Sequence, residues 1–303
     1  MKLNTSGIFG VSKELFNFWT LSSHKVSRNH PSQIIVIDQN CFQFSDAEVV
    51  LVFDYMPNDL SGLIRSIRPQ RLSMRIIKSY MKQLLEAVAE IHDRDLMHLD
   101  IKPANILLNE RGQLFLGDLG LMTSAGGKQS NNVVTRWYKP PELLLGDTEY
   151  GPEVDMWGVG CVFFELLMGT SPFPGRDEAD QFRRIVQLCG SEFLLDVGRF
   201  PSHPSRFPQL PLYSAYTHNL ERTSSQLYAR VSNFPPEAAD LLARLLCVNP
   251  TQRITASDAY DHDFFFTGVD PADEDELISY PFSIHEFELR KSLSVGVEAV
   301  LGH

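Results

Sequence analysis

Positive charge is scarce in this chain. Its 303 residues carry 27 lysines and arginines against 38 aspartates and glutamates, a formal net charge of -11, with a pI near 5.3. Nucleic acid and anionic membranes held by bulk charge both need a basic face, so neither is expected as a partner. Protein or small ligand is the expected class instead. Cysteine is sparse too: Cys41, Cys161, Cys189 and Cys247 are scattered without a Cys-x-x-Cys spacing. That pattern suits a reduced compartment, cytoplasm or nucleus, rather than a disulfide framework or a zinc site. Long apolar runs are missing as well. The most apolar stretch, Gly158 to Gly169, is short and carries Glu165, and the N-terminus lacks the apolar core of a signal peptide, so no membrane segment is expected. What is present, 43% apolar and 21% charged residues, suits a folded protein with a sizeable core.

Hydrophobic patterning places the elements. Val49-Val50-Leu51-Val52-Phe53, ended by Asp54 and then Pro57-Asn58, reads as a buried strand with a turn. From Ser73 to Asp93, Ile76, Ile77, Tyr80, Met81, Leu84, Leu85, Val88 and Ile91 recur at three and four, which predicts one long amphipathic helix. Ile106-Leu107-Leu108, the turn Asn109-Glu110-Arg111-Gly112 and Leu114-Phe115-Leu116 read as a hairpin that holds Asn105 and Asp118 near each other at its two ends. Val154 to Met168 is apolar nearly all round, as a helix buried in a bundle is, with Asp155 readable as its N-terminal cap. Further helices are predicted over Glu178 to Leu188 and Pro236 to Leu246, with a Pro-rich irregular stretch from Gly198 to Pro235 between them. Asp270 to Glu276 is an acidic run, expected as a solvated tail segment, and no internal repeat occurs.

The chemistry sits in His98-Leu99-Asp100-Ile101-Lys102-Pro103-Ala104-Asn105, followed thirteen residues after Asn105 by Asp118-Leu119-Gly120. Phosphoryl transfer needs a carboxylate to orient the attacking hydroxyl, a cation near the transferring phosphate and oxygen ligands for Mg²⁺. Asp100, Lys102, and the pair Asn105 and Asp118 supply these in turn, the last two suiting a cation that keeps several waters and takes few protein oxygens.

At these motifs the chain resembles the eukaryotic protein kinases, from about His30-Pro31 to about Phe266. Val133-Val134-Thr135-Arg136-Trp137-Tyr138-Lys139-Pro140-Pro141-Glu142 looks like the end of a kinase activation segment and is similar to that of cyclin-dependent kinases. Asp155-Met156-Trp157-Gly158 and Asn249-Pro250-Thr251-Gln252-Arg253 match two further signatures. The resemblance implies an α+β, protein-kinase-like fold: a mainly helical C-lobe over 57–267, an incomplete small β-rich N-lobe and hinge over 1–56, and a C-terminal tail over 268–303. It also implies that Glu142 pairs with Arg253, and that Asp155 binds the backbone of the catalytic loop. Leu145 to Pro152 and the tail Ser283-Ile284-His285-Glu286-Phe287 look most like the transcription-associated branch, whose members phosphorylate the RNA polymerase II tail. There, His285 and Glu286 would be nucleotide contacts or a frayed polar tail.

By this resemblance ATP and Mg²⁺ are the cofactors. Asp100, Lys102, Asn105 and Thr135 would be catalytic, and Asn105 and Asp118 the metal ligands. Hinge residues Asp54, Tyr55 and Met56, Phe53 at the gate, Asp59 near the ribose and Leu107 on the floor would take the nucleotide, alongside Asp118. The expected substrates are proteins with Ser/Thr-Pro sites, from Val133 and Val134; Arg136 and Lys139 depart from the family's Leu and Arg.

The upstream pattern departs further. Only 52 residues precede the hinge, and they hold no Gly-x-Gly-x-x-Gly loop. Lys2 lies close to the spacing expected of the phosphate-binding strand lysine; its partner glutamate would fall near Leu21, and Glu14 is the nearby acid. Met1 to Asn29 does not resemble the cyclin-binding helix, so a cyclin partner follows from the family alone. Leu119 replaces the usual Phe of the metal-binding motif, and Leu99 the catalytic-loop arginine. With no arginine from Leu121 to Ser124 either, a phosphate on Ser130 would find little to order the loop. Three readings stay open at this level: an active serine/threonine kinase, a catalytically impaired pseudokinase scaffold that binds protein partners, and a chain whose N-lobe has been cut before its first strands.

Overall fold

A computed structural model describes residues 55–195 and 206–278, together with the backbone of two short strands, β1 (Gln43–Ser45) and β2 (Glu48–Val50). These two pair antiparallel, Gln43 opposite Val50. Of the strand expected over Val49 to Phe53, β2 covers Val49 and Val50; Leu51, Val52, Phe53 and Asp54 lie outside the described residues, as do Lys2, Glu14, Leu21, His285 and Glu286.

The described body is mainly helical, as the resemblance implies. Helix α1 (Leu60–Ser66) starts where Asp59 Oδ1 accepts from the Gly62 amide at 2.7 Å. Helix α2 (Met74–His92) starts at Ser73, whose hydroxyl accepts from Ile76, a side chain taking up one of the amides a helix start leaves free. Its predicted apolar stripe is the buried one: Ile77, Tyr80, Met81, Leu84, Leu85, Val88 and Ile91 are in the core, while Ile76 sits at its edge. Each fully buried side chain of this kind is worth about 1.5–3 kcal/mol.

Three strands, β3 (Asn58–Asp59), β5 (Ile106–Leu108) and β6 (Leu114–Leu116), form an antiparallel sheet in the order β3-β5-β6, and β4 (Leu96–Met97) pairs with β7 (Thr123–Ser124). Ile106 lies opposite Leu116, so the predicted hairpin forms in the register that closes its two ends together.

Helices α3 (Pro141–Leu144), α4 (Glu153–Met168), α5 (Glu178–Cys189), α6 (Glu192–Leu195), α7 (Tyr213–Thr217), α8 (Leu227–Arg230), α9 (Pro236–Leu245) and α10 (Ala256–Tyr260) complete the order. The stretch expected to be irregular thus carries two short helices, α7 and α8. Helix α4 is buried on nearly every side and packs against α2 and α9. Gly158 lets it approach the loop after β4: a Cβ there would stand 3.1 Å from the Ile101 backbone oxygen. Asp155 does not cap α4. Pro152 holds the cap position, and Asp155 lies inside the first turn with its carboxylate turned to another loop.

Glu142 and Arg253 pair as the resemblance implies, in a two-pronged bond of 2.8 and 3.1 Å with both side chains at 1% exposure or less. The guanidinium also donates to the Glu153 and Cys247 carbonyls and lies over the Trp157 ring. Removing one partner from such a pair typically costs about 3–5 kcal/mol, because the other charge stays buried. The acids of the run Asp270 to Glu276 are exposed as expected, but the segment is anchored: Ala272 and Leu277 are buried, the Ala272 amide donates to Arg75 O at 3.0 Å, and Arg75 pairs with Glu276 at 2.5 Å. Among the described residues no helix is long and apolar enough to cross a membrane.

Candidate active site

The loop after β4 is shaped by one buried carboxylate. Asp155 accepts the backbone amides of His98 and Leu99, each at 2.8 Å, and lies 3.0 Å from His92 Nε2. Burial pushes this carboxyl up, but the His92 bond and the neighbouring histidines and amides carry it below its ordinary value. Leu99 is left-handed at φ 66, a conformation that costs a non-glycine residue about 1–3 kcal/mol and persists where neighbours over-determine it. The two amide bonds to Asp155 do so here. His98 continues the chain of bonds. Its Nδ1 accepts from the Asp100 amide at 3.2 Å, so Nε2 carries the hydrogen that goes to Gly117 O at 2.9 Å.

Asp100 is the hub. Its Oδ2 takes the Lys102 ammonium at 2.5 Å and Asn105 Nδ2 at 3.0 Å; its Oδ1 takes the Thr135 hydroxyl at 2.6 Å and the Thr135 amide at 3.1 Å. Lys102 Nζ also donates to Thr135 Oγ1 at 2.9 Å. Burial pushes the Asp100 carboxyl up, and the bonds from Lys102 and Thr135 outweigh it, leaving the group below the usual carboxylate range. The structure therefore joins Asp100, Lys102, Asn105 and Thr135 into one hydrogen-bonded group around an ionised, 7% exposed carboxylate.

The hairpin holds Asn105 and Asp118 near each other as predicted, the Gly117 amide next to Asp118 donating to Asn105 O at 2.9 Å. Asp118 is left-handed at φ 57, exposed, and makes no hydrogen bond or ion pair among the described residues. Asn105 has committed its amide nitrogen to Asp100, which leaves Oδ1 as its free donor atom. One carboxylate and one amide oxygen fit a hard divalent cation that retains waters and phosphate oxygens. No cluster of three or more His, Cys, Asp or Glu suited to a metal occurs among the described residues.

Of the residues expected to take the nucleotide, Asp59 and Leu107 are direct partners across β3 and β5. Leu107 is half-buried, Met56 likewise, and Tyr55 is 75% exposed. Asp59, expected near a ribose, is 5% exposed and uses Oδ1 as the cap of α1.

Sequence reasoning saw Leu99 only as a lost arginine. The structure buries it with Met97, Leu143, Tyr150 and Val154, and Ala125, Val133 and Val134 of the activation segment pack on that cluster. Tyr150 adds a bond from its hydroxyl to Ser130 O at 2.5 Å, and the Gln129 backbone N–H donates to Thr148 O at 2.7 Å. Neither residue carries a sequence signal; the apolar character of Leu99 itself was the available clue. Val134, next to Thr135, is left-handed at φ 66.

Comparison with known proteins follows the same lines. The family model for the protein kinase domain matches residues 21–265. Cyclin-dependent kinase C-2 of Arabidopsis thaliana is 40% identical over 250 residues, covering 80% of this chain and 46% of that protein; the chain spans less than half the length of this relative. Among solved structures, the CAK complex of Chaetomium thermophilum bound to ATP-gamma-S is similar at a TM-score of 0.69 and 33% identity, covering 82% of this chain and 76% of that one. The yeast RNA Pol II CTD kinase CTDK-1 complex is similar at 0.70 and 29%, covering 88% and 86%.

Proposed function

This chain belongs to the protein kinase domain family, and from that premise we propose that it transfers the γ-phosphoryl group of ATP to serine or threonine hydroxyls of protein substrates. The observation that carries the reading is the Asp100 group: an ionised carboxylate holding a lysine, an amide and a threonine at 2.5–3.1 Å. Asp100 Oδ1, which accepts the Thr135 hydroxyl, is placed to orient a substrate hydroxyl and take its proton. Lys102 keeps positive charge beside that oxygen pair, where negative charge moves during transfer. Asn105 Oδ1 and Asp118 would hold Mg²⁺, which when bound neutralises phosphate charge and fixes the phosphates for in-line attack.

Serine/threonine-proline substrates are the finer part of the proposal. Val134 supports it: a left-handed, β-branched residue at the position that would face the residue after the phosphoacceptor is a built-in constraint on that contact. ATP binding separates this reading from the scaffold reading. With Mg²⁺, ATP is expected to raise the thermal midpoint, since a ligand that binds only the native state stabilises it, and Asp118→Asn is expected to abolish the Mg²⁺-dependent part. No stabilisation at millimolar Mg²⁺-ATP would favour the scaffold.

A further inference from the structure

One surface beside the transfer site runs against the acidity of the chain. Asp180, in the first turn of α5, is shared by three guanidinium groups: Arg176 and Arg184 through Nε at 3.2 Å each, and Arg183 through Nη1 at 3.4 Å. The Asp180 side chain is 8% exposed, whereas those of Arg176 and Arg183 are 80% and 61% exposed. A single sunken carboxylate thus gathers three cations and neutralises the charge of one. Arg136 joins them, donating from Nη1 to Arg176 O at 2.8 Å, while Trp137 Nε1 donates to Gly175 O at 3.1 Å. These bonds staple the start of α5 to the residues directly after Thr135, whose hydroxyl stands 2.6 Å from Asp100 Oδ1.

The neighbouring charges do not cancel the excess. Lys139 is matched by Glu178 at 3.0 Å. Asp177 gives Oδ1 to the Asp180 amide at 2.8 Å as the cap of α5. Four guanidinium groups therefore face two carboxylates, in a chain whose net charge is -11. Guanidinium forks match carboxylate and phosphate oxygens in geometry as well as charge, and arginine clusters are a recurring means of reading acidic or phosphorylated segments.

We propose that this surface selects substrates that carry an anionic side chain, a carboxylate or a phosphate, close to the serine or threonine to be phosphorylated. The proposal rests on the kinase reading for the word substrate, and on the arginine cluster alone for the binding. Its test is fluorescence anisotropy of three labelled Ser-Pro peptides on the full chain, flanked by alanines, by glutamates or by phosphoserines. At low salt the two anionic peptides are expected to bind about fivefold or more tightly than the alanine peptide, the worth of one or two exposed charge pairs. Raising the salt is expected to shrink that gap, since exposed charges are screened. The double variant Arg176→Gln/Arg183→Gln, both exposed and so compatible with an unchanged melting temperature, is expected to bring the anionic peptides to the affinity of the alanine peptide. A phosphoserine preference without a glutamate preference assigns the surface to phosphate. Equal binding of all three overturns the proposal, as does a preference that survives the double variant. Phosphotransfer to the alanine peptide is scored separately; its absence counts against the kinase reading and leaves the binding comparison intact.

Discussion

Asn105 commits both hydrogens of its amide to Asp100, donating from Nδ2 to the backbone carbonyl at 2.9 Å and to Oδ2 at 3.0 Å. The same side chain thereby orients the carboxylate and leaves its remaining oxygen to the Mg²⁺ of the proposed function. Asn105→Ala is expected to lower kcat by about 10²–10⁴-fold, the range for a misplaced acid–base group, and to raise the Mg²⁺ concentration that gives half-maximal rate. A rate loss with unchanged Mg²⁺ dependence would leave the residue a positioning role only.

Asp100 is expected to stay ionised below the ordinary carboxylate value. Burial alone would raise it, and the Lys102 and Thr135 bonds reverse the sign. The carboxyl carbon signal of Asp100 should titrate below the usual value of about 3.9. Thr135→Val removes the 2.6 Å hydroxyl bond and is expected to move the titration upward. An unshifted midpoint in that variant would contradict the assigned cause.

Asp155 links the same loop to pH-dependent stability. Its carboxyl lies lower in the folded chain than in the unfolded one: burial raises it, and His92 together with His98 and its amide outweighs that. Such a group contributes stability in full above the unfolded value of about 3.9, and loses it as pH falls through the folded value. Asp155→Asn is expected to cost roughly 1–3 kcal/mol at pH 7, because an amide cannot accept at both oxygens' places, and to unfold less steeply with acid below about pH 4. Parallel acid-unfolding curves for the two proteins would contradict this.

Activation is expected to be independent of a phosphate on Ser130. By the family resemblance Leu99 stands for the catalytic-loop arginine, and its apolar cluster with Met97, Leu143, Tyr150 and Val154 packs Val133 and Val134 directly. Ser130→Ala and phosphorylated Ser130 are expected to work within about twofold of the unmodified chain, whereas Leu99→Ala, which opens a cavity worth about 2–5 kcal/mol, should loosen the segment in hydrogen exchange. A large stimulation by an activating kinase, lost in Ser130→Ala, would overturn this account.

Local spacing explains how much of this was legible beforehand. The helix over Met74–His92 announces itself by apolar residues at three and four, and the hairpin from Ile106 to Leu116 by two short apolar runs around a turn with Gly112. The candidate site was legible in Asp100, Lys102, Asn105 and Asp118, all within one loop and one hairpin. What escaped were contacts between distant segments. Asp155 meets its three partners across 56 to 63 residues of chain, so its own neighbourhood suggested a helix cap, and only the family resemblance pointed to the loop. Leu99 and Tyr150 act through packing that no period encodes. The anchoring of Ala272 and Glu276 on Arg75 spans about 200 residues and left only an acidic run to read.

The most direct measurement is Mg²⁺-dependent transfer of labelled phosphate from ATP to a Ser-Pro peptide, with Asp100→Asn as the paired control of unchanged size and altered charge. The account predicts transfer that requires Mg²⁺ and falls by at least about a hundredfold in the variant. Transfer equal in the two proteins, or none in a preparation that unfolds cooperatively, would contradict it.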